Sequence, residues 1–269
     1  MQRKNILITG ATSGIGLASL HLFATKGWNV WGVSRRGKIE GEKPSNVHLY
    51  SLDVTNQGQV EETVKKINSE AQKLTGKGIQ VILHCAGFGI AGAAEDTPLE
   101  AVYQQFETNY FGVLRVNAAL LPLMRSEEDS LVILLGSVGG KISLPFQSHY
   151  SATKFALEAY SDALRMEGIK ATIVEAGDTK TPFTAQRKVA IPPNSPYSEQ
   201  GARAIKKMSA DEQGGYPPLK VARVIYKLAN QKSPPPRKAV GVSYKLILLL
   251  KRLLPDRLVL FIVKRLYLT

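Results

Sequence analysis

A single cysteine, Cys85, excludes an intramolecular disulfide and fits a reducing compartment. The chain lacks Gly/Ser or charged low-complexity runs and internal repeats, so its 269 residues are expected to form one α/β-sized unit. We divide that unit into a main body at 1–243 and a helical extension at 244–269. No apolar leader is present: Ile6-Leu7-Ile8 is halted by Gly10, far short of a signal peptide's apolar region, and the expected location is the cytoplasm. Nor does any apolar run in the extension reach the roughly 17 residues of a spanning helix, because Lys251, Arg252, Pro255, Asp256 and Arg257 interrupt it. Acids are scarce. Lys and Arg number 35 against 22 Asp and Glu, a net charge of +13. From Ser233 onward there are eight basic residues and one acid, Asp256, which places +7 of that charge in the tail. These basic residues alternate with Leu, Ile and Val rather than with aromatics and Gly, and no nucleic-acid-binding pattern is visible, which excludes nucleic acid as the expected partner. No metal site is expected.

What the chain does have is strands that alternate with helices. Apolar runs at Asn5–Thr9, Asn29–Ser34, 47–52, 80–84, Leu131–Leu135 and 171–174 read as strands. Helical periodicity covers the stretch after Gly16, 57–74, a long region at 99–127, and 149–168. The alternation predicts a Rossmann-like doubly wound parallel sheet with helices on both faces. The first strand runs into Thr9-Gly10-Ala11-Thr12-Ser13-Gly14-Ile15-Gly16 and then a helix. In that context Gly10 permits a tight turn, Gly14 lets backbone approach a pyrophosphate, and Gly16 lets helix and strand pack closely. At the end of the second strand, where an NAD enzyme carries an acid, stand Arg35 and Arg36. Two guanidiniums suit a 2′-phosphate, so NADP(H) is expected in preference to NAD(H).

Tyr150 and Lys154 lie four apart at the start of a helical segment, and therefore on one face. At roughly 4 Å and an effective dielectric of about 20, the ammonium would stabilise the phenolate by about 4 kcal/mol, or about three pKa units. That would bring the phenol toward neutral pH, where a general acid or base works best. Asn109, inside the long helical region, is either idle or has its amide at work in a cleft.

Together these residues resemble the classical short-chain dehydrogenases/reductases. The glycine motif is Thr9 to Gly16, the adenine-side acid is Asp53, the Asn-Asn-Ala-Gly turn is His84-Cys85-Ala86-Gly87, and the active-site quartet is Asn109, Ser137, Tyr150 and Lys154. His84-Cys85 departs from Asn-Asn, and Ala176 from the usual Pro before Gly177. The tail around Ser233-Pro234-Pro235-Pro236-Arg237 and 251–258 looks like that of the 17β-hydroxysteroid-dehydrogenase-like subgroup. The resemblance implies cofactor contacts from Gly10, Thr12, Ser13, Gly14, Ile15 and Gly16, from Asp53 and Val54, from Ala86 and Gly87, and from Gly177, Thr179 and Thr181. It implies that Tyr150 exchanges a proton with a carbonyl or alcohol and that Ser137 orients that oxygen. Lys154 would lower the Tyr150 pKa and bind the nicotinamide ribose, and Asn109 would anchor a water.

The apolar tail is expected to pack over the cleft; a subunit interface in a homo-oligomer and a basic surface on anionic lipid are the competing readings. Leu246, Leu249, Leu250, Leu253 and Leu254, at helical intervals, favour packing. A hydrophobic carbonyl or alcohol substrate, steroid-, retinoid- or acyl-lipid-like, follows. The other class to weigh is a dinucleotide-binding regulator without chemistry, which would have no need to keep Asn109, Ser137, Tyr150 and Lys154 together.

Overall fold

The computed structural model describes residues 4–127 and 129–268; Met1, Gln2, Arg3 and the terminal Thr269, included in the divisions above, lie outside them. Seven parallel strands build the main sheet: β1 (Asn5–Thr9), β2 (Asn29–Ser34), β3 (Val47–Ser51), β4 (Val81–His84), β6 (Leu131–Leu135), β7 (Ala171–Glu175) and β9 (Arg237–Ala239). Their spatial order is β3-β2-β1-β4-β6-β7-β9, so the winding direction reverses between β1 and β4. Open α/β sheets bind ligands at such a reversal, beyond the carboxyl ends of the strands.

The central strands β1, β4 and β7 are buried along their whole length, as strands covered on both faces must be. Alternate residues feed two separate cores. Leu7, Trp31, Ile82 and Val132 pack against α2 (Gln57–Thr75), α4 (Gly112–Met124) and α5 (Ser148–Met166) through Val64, Ile67, Val116, Leu120 and Leu157. Ile6, Ile8, Val30 and Leu83 pack on the other face against α1 (Gly14–Thr25) and α7 (Pro218–Ala229) through Leu20, Phe23, Val221 and Ile225.

The structure adds elements to those expected. Ile90–Gly92 (β5) and Lys188–Ala190 (β8) pair in parallel as a small second sheet beside the cleft. Ser198–Gln213 (α6) fills a stretch with no readable pattern. The sheet has a seventh strand, β9, where six were expected; Arg237 holds it through ion pairs to Glu158 and Asp162 of α5. The long helix at 99–127 is broken into α3 (Leu99–Phe106), a π-helical turn at Glu107–Phe111, and α4. The tail folds into α8 (Val242–Leu253) and α9 (Asp256–Leu268).

Candidate active site

The glycine turn after β1 is a matter of space. Gly10 has φ +64° and its missing Cβ would lie 2.8 Å from the backbone of Cys85 and Ala86; a Cβ on Gly16 would lie 2.2 Å from the Gly10 carbonyl oxygen. The turn therefore brings β1, β4 and α1 closer together than a side chain allows. Ser13 caps α1 without a side-chain hydrogen bond, leaving the first-turn amides facing the cleft as a ready anion site. Arg36 donates from Nη2 to the Thr12 carbonyl oxygen at 2.9 Å, which parks one guanidinium beside this turn, and Thr12 Oγ1 donates to Ser34 Oγ at 3.0 Å. Asp53 accepts from Thr55 N and Oγ1.

Asn109 sits in the π-helical turn, a geometry that often marks functional sites. It is buried. Its Oδ1 accepts from Phe88 N at 3.0 Å, and its Nδ2 donates to Phe88 O at 3.0 Å and to Thr153 Oγ1 at 3.2 Å. Its amide protons are thus committed, one to the loop after β4 and one to α5, so a water held by this residue has only carbonyl oxygens to bind. Thr153 in turn donates to the Tyr150 carbonyl oxygen at 2.7 Å.

Ser137, just past the end of β6, accepts from Gly139 N at 3.0 Å and stands beside the Tyr150 phenol, whose pKa it acts to lower. Lys154 donates to the Leu135 carbonyl oxygen at 2.8 Å, and its Nζ lies 5.8 Å from the centre of the Tyr150 ring. Here the structure corrects the electrostatic expectation. Burial pushes the Tyr150 phenol up to about 12, against the lowering contact with Ser137, and pushes Lys154 down to about 8, against the influence of Cys85. Desolvation outweighs Coulomb attraction because the ammonium is directed at a carbonyl rather than at the phenol oxygen. His84 and Cys85, the two departures from the family turn, are explained locally. His84 Nε2 meets Asn117 Oδ1 at 2.9 Å, burial lowers it to about 4 and keeps it neutral, and burial raises the Cys85 thiol to about 12.

One cleft of about 1270 Å³ is lined by every residue singled out from the sequence as catalytic or cofactor-binding. It also holds residues the sequence did not signal. Tyr244, at the start of α8, donates to Asp178 Oδ2 at 2.6 Å, accepts from Asp178 N at 2.9 Å, and lays its ring on Gly177. The tail is thereby latched to the loop after β7. Glu212 pairs with Arg187 and accepts from Thr184 Oγ1 at 2.6 Å, fixing the 182–187 segment beside Tyr150, whose ring packs 5.7 Å from that of Phe183. Neither partner has a sequence signal, since the chain distance hides both.

A parallel sheet with an anion-ready glycine turn and, at its carboxyl edge, a buried Lys154 beside the half-buried Ser137 and Tyr150 defines a dinucleotide-dependent oxidoreductase. The family model described as short chain dehydrogenase matches residues 4–190, and this chain belongs to that family. It is 35% identical to a 3-ketodihydrosphingosine reductase of Bacteroides thetaiotaomicron over 99% of both chains. It is 29% identical to an NADPH-dependent 3-dehydrocapnine reductase of Ornithobacterium rhinotracheale, covering 94% of this chain and 93% of that one. Among solved structures, a short-chain dehydrogenase from Streptomyces avermitilis superposes with a TM-score of 0.81 at 30% identity, covering 93% of this chain and 92% of the other.

The latch gives a testable result. Tyr244→Phe removes a hydroxyl that makes two hydrogen bonds, so stability should fall by about 1–3 kcal/mol and dinucleotide affinity with it. Thermal melts and cofactor titration measure the two effects, and unchanged affinity would place the 177–179 loop outside the cofactor site.

Proposed function

We propose that the protein is an NADPH-dependent reductase of a long-chain lipid ketone, working in the cytoplasm. The observation that carries this reading is the continuity of the cleft. From Ser137 and Tyr150 its lining runs to Ile142, Leu144 and Phe183, and on to Ile247, Val263 and Leu266 of the tail helices. An alkyl chain matches such a wall; a sugar does not. Of the steroid-, retinoid- and acyl-lipid-like classes, the names of the two relatives support the last, and 3-ketodihydrosphingosine is the first substrate to test.

The fit to a nicotinamide dinucleotide rests on the space at Gly10 and Gly16 and on the open first turn of α1. When bound, that group supplies the hydride. Tyr150, protonated at neutral pH, donates its phenolic proton to the substrate oxygen as negative charge develops there. Ser137 holds the same oxygen by a hydrogen bond. Lys154 would hold the nicotinamide ribose with its ammonium. Asn109 is a positioning residue that acts through Phe88 and Thr153.

Two measurements test the reading. NADPH oxidation assayed with ketones of increasing chain length should show kcat/KM rising with length and should include 3-ketodihydrosphingosine; no length preference would sink the substrate class. Titration should show NADPH bound at least about tenfold tighter than NADH, since a charge-assisted phosphate contact contributes roughly 1.5–3 kcal/mol. Arg35→Ala with Arg36→Ala should remove most of that preference, and equal affinities in the native protein would refute it.

A further inference from the structure

The leucines expected to be buried by packing are not buried. Leu246 is 54% exposed, Leu253 71%, Leu260 63% and Phe261 56%, with Leu249 and Leu250 also exposed. α8 has no buried residue at all, and α9 has only Val259. The covering role belongs to other positions: Tyr244 and Ile247 from α8, and Val263, Leu266 and Tyr267 from α9, line the cleft, while α9 packs on α6. The two helices are therefore a plate one helix thick, with the cleft on one side and exposed apolar residues interspersed with basic ones on the other. Soluble monomers rarely expose so large an apolar patch without a partner.

Charge identifies that partner. The plate carries Lys245, Lys251, Arg252, Arg257, Lys264 and Arg265 against a single acid, Asp256, which pairs with Lys251 at 3.5 Å. A second copy of the chain would bring like charges face to face, and lysine is depleted at protein interfaces. An anionic bilayer satisfies both halves of the surface. At 12 and 13 residues the helices are about 18–20 Å long, too short to cross a bilayer of about 30 Å, so they lie in its plane. Among the described residues no helix is long and apolar enough to cross a membrane.

We propose that α8 and α9 dock the protein onto an anionic bilayer, and that the substrate enters the cleft from that bilayer past the inner face of the plate. Docking stands on the exposed surface alone; the route in rests on the lipid-ketone reading above.

The test uses full-length protein and vesicles of phosphatidylcholine with or without phosphatidylglycerol. Sedimentation at low ionic strength should show binding to the phosphatidylglycerol vesicles at least about tenfold tighter than to phosphatidylcholine alone, reversed by high salt as the Debye length shortens. The triple variant Leu249→Gln, Leu253→Gln, Phe261→Gln should lose at least about tenfold in vesicle affinity while keeping its circular dichroism, its NADPH affinity and its turnover of a short soluble ketone. Turnover of a long-chain ketone embedded in phosphatidylglycerol vesicles should fall about tenfold in that variant. Failure to sediment with either vesicle overturns docking, as does a native dimer that the triple variant dissociates. Vesicle binding with no loss of embedded-ketone turnover in the variant overturns the route in. Turnover of no ketone overturns the proposed activity and the route together, and the sedimentation result still decides docking.

Discussion

Replacing Tyr150 with phenylalanine is expected to cut ketone reduction by roughly 10² or more while NADPH affinity stays nearly unchanged. The variant keeps the ring that packs against Phe183 and loses only the hydroxyl beside Ser137. The phenol, pushed up to about 12, is protonated throughout the neutral range and so is ready to act as an acid rather than a base. Two further results follow from that sign. Reduction should be insensitive to Tyr150 ionisation near neutrality, whereas alcohol oxidation, which needs the phenolate, should climb with pH. Steady-state kinetics in both directions, with fluorescence titration of the cofactor, measure all of this; a native rate in the variant strikes Tyr150 from the mechanism.

The second large effect is expected at Lys154. Burial lowers its pKa to about 8, so the ammonium is present below that pH and lost above it. Any cofactor affinity that depends on the cation should therefore weaken as pH rises through about 8. Lys154→Met should bind NADPH more weakly, by roughly tenfold for the loss of one charged hydrogen bond, and should turn over roughly 10² more slowly. Its affinity should also be flat between about pH 7 and 9, where the native protein's is not. A native affinity that ignores pH across this window would show that the Lys154 charge does not serve the cofactor.

The residues that line the candidate site could be named from sequence because their motifs are local. A glycine turn, an arginine pair and a Tyr-x-x-x-Lys step each lie within a few residues, at strand ends whose apolar runs are unmistakable. What stayed hidden depends on distant partners. β5 and β8 are three residues each and pair across nearly a hundred positions, so neither carries a pattern of its own. β9 is Arg-Lys-Ala, a polar strand that the sheet accepts only because it lies at the edge and Arg237 finds two carboxylates on α5. The π-helical turn has helical periodicity on either side, so the sequence read as one long helix, with Asn109 either idle or at work in a cleft and no break marked. In the tail, leucine spacing revealed amphipathic helices and could not say which medium covers their apolar side. Tyr150 and Lys154 do share one helix, but burial rather than their mutual attraction sets the direction of both pKa shifts, because spacing does not reveal where an ammonium is aimed or how dry its surroundings are.

The late position of β9 has a consequence for synthesis. By the time His84 has left the ribosome, β3, β2, β1 and β4 can already pair, since every partner lies upstream. β7 emerges much later and must then wait more than sixty residues for Arg237–Ala239 to cover its free edge. Throughout that interval the nascent chain holds an unpaired apolar strand, the kind of surface that chaperones hold and that aggregates when left alone. Because α8 and α9 follow β9, their exposed leucines reach the solvent only after that edge can close. The chain's two adhesive surfaces are thus displayed in succession rather than together.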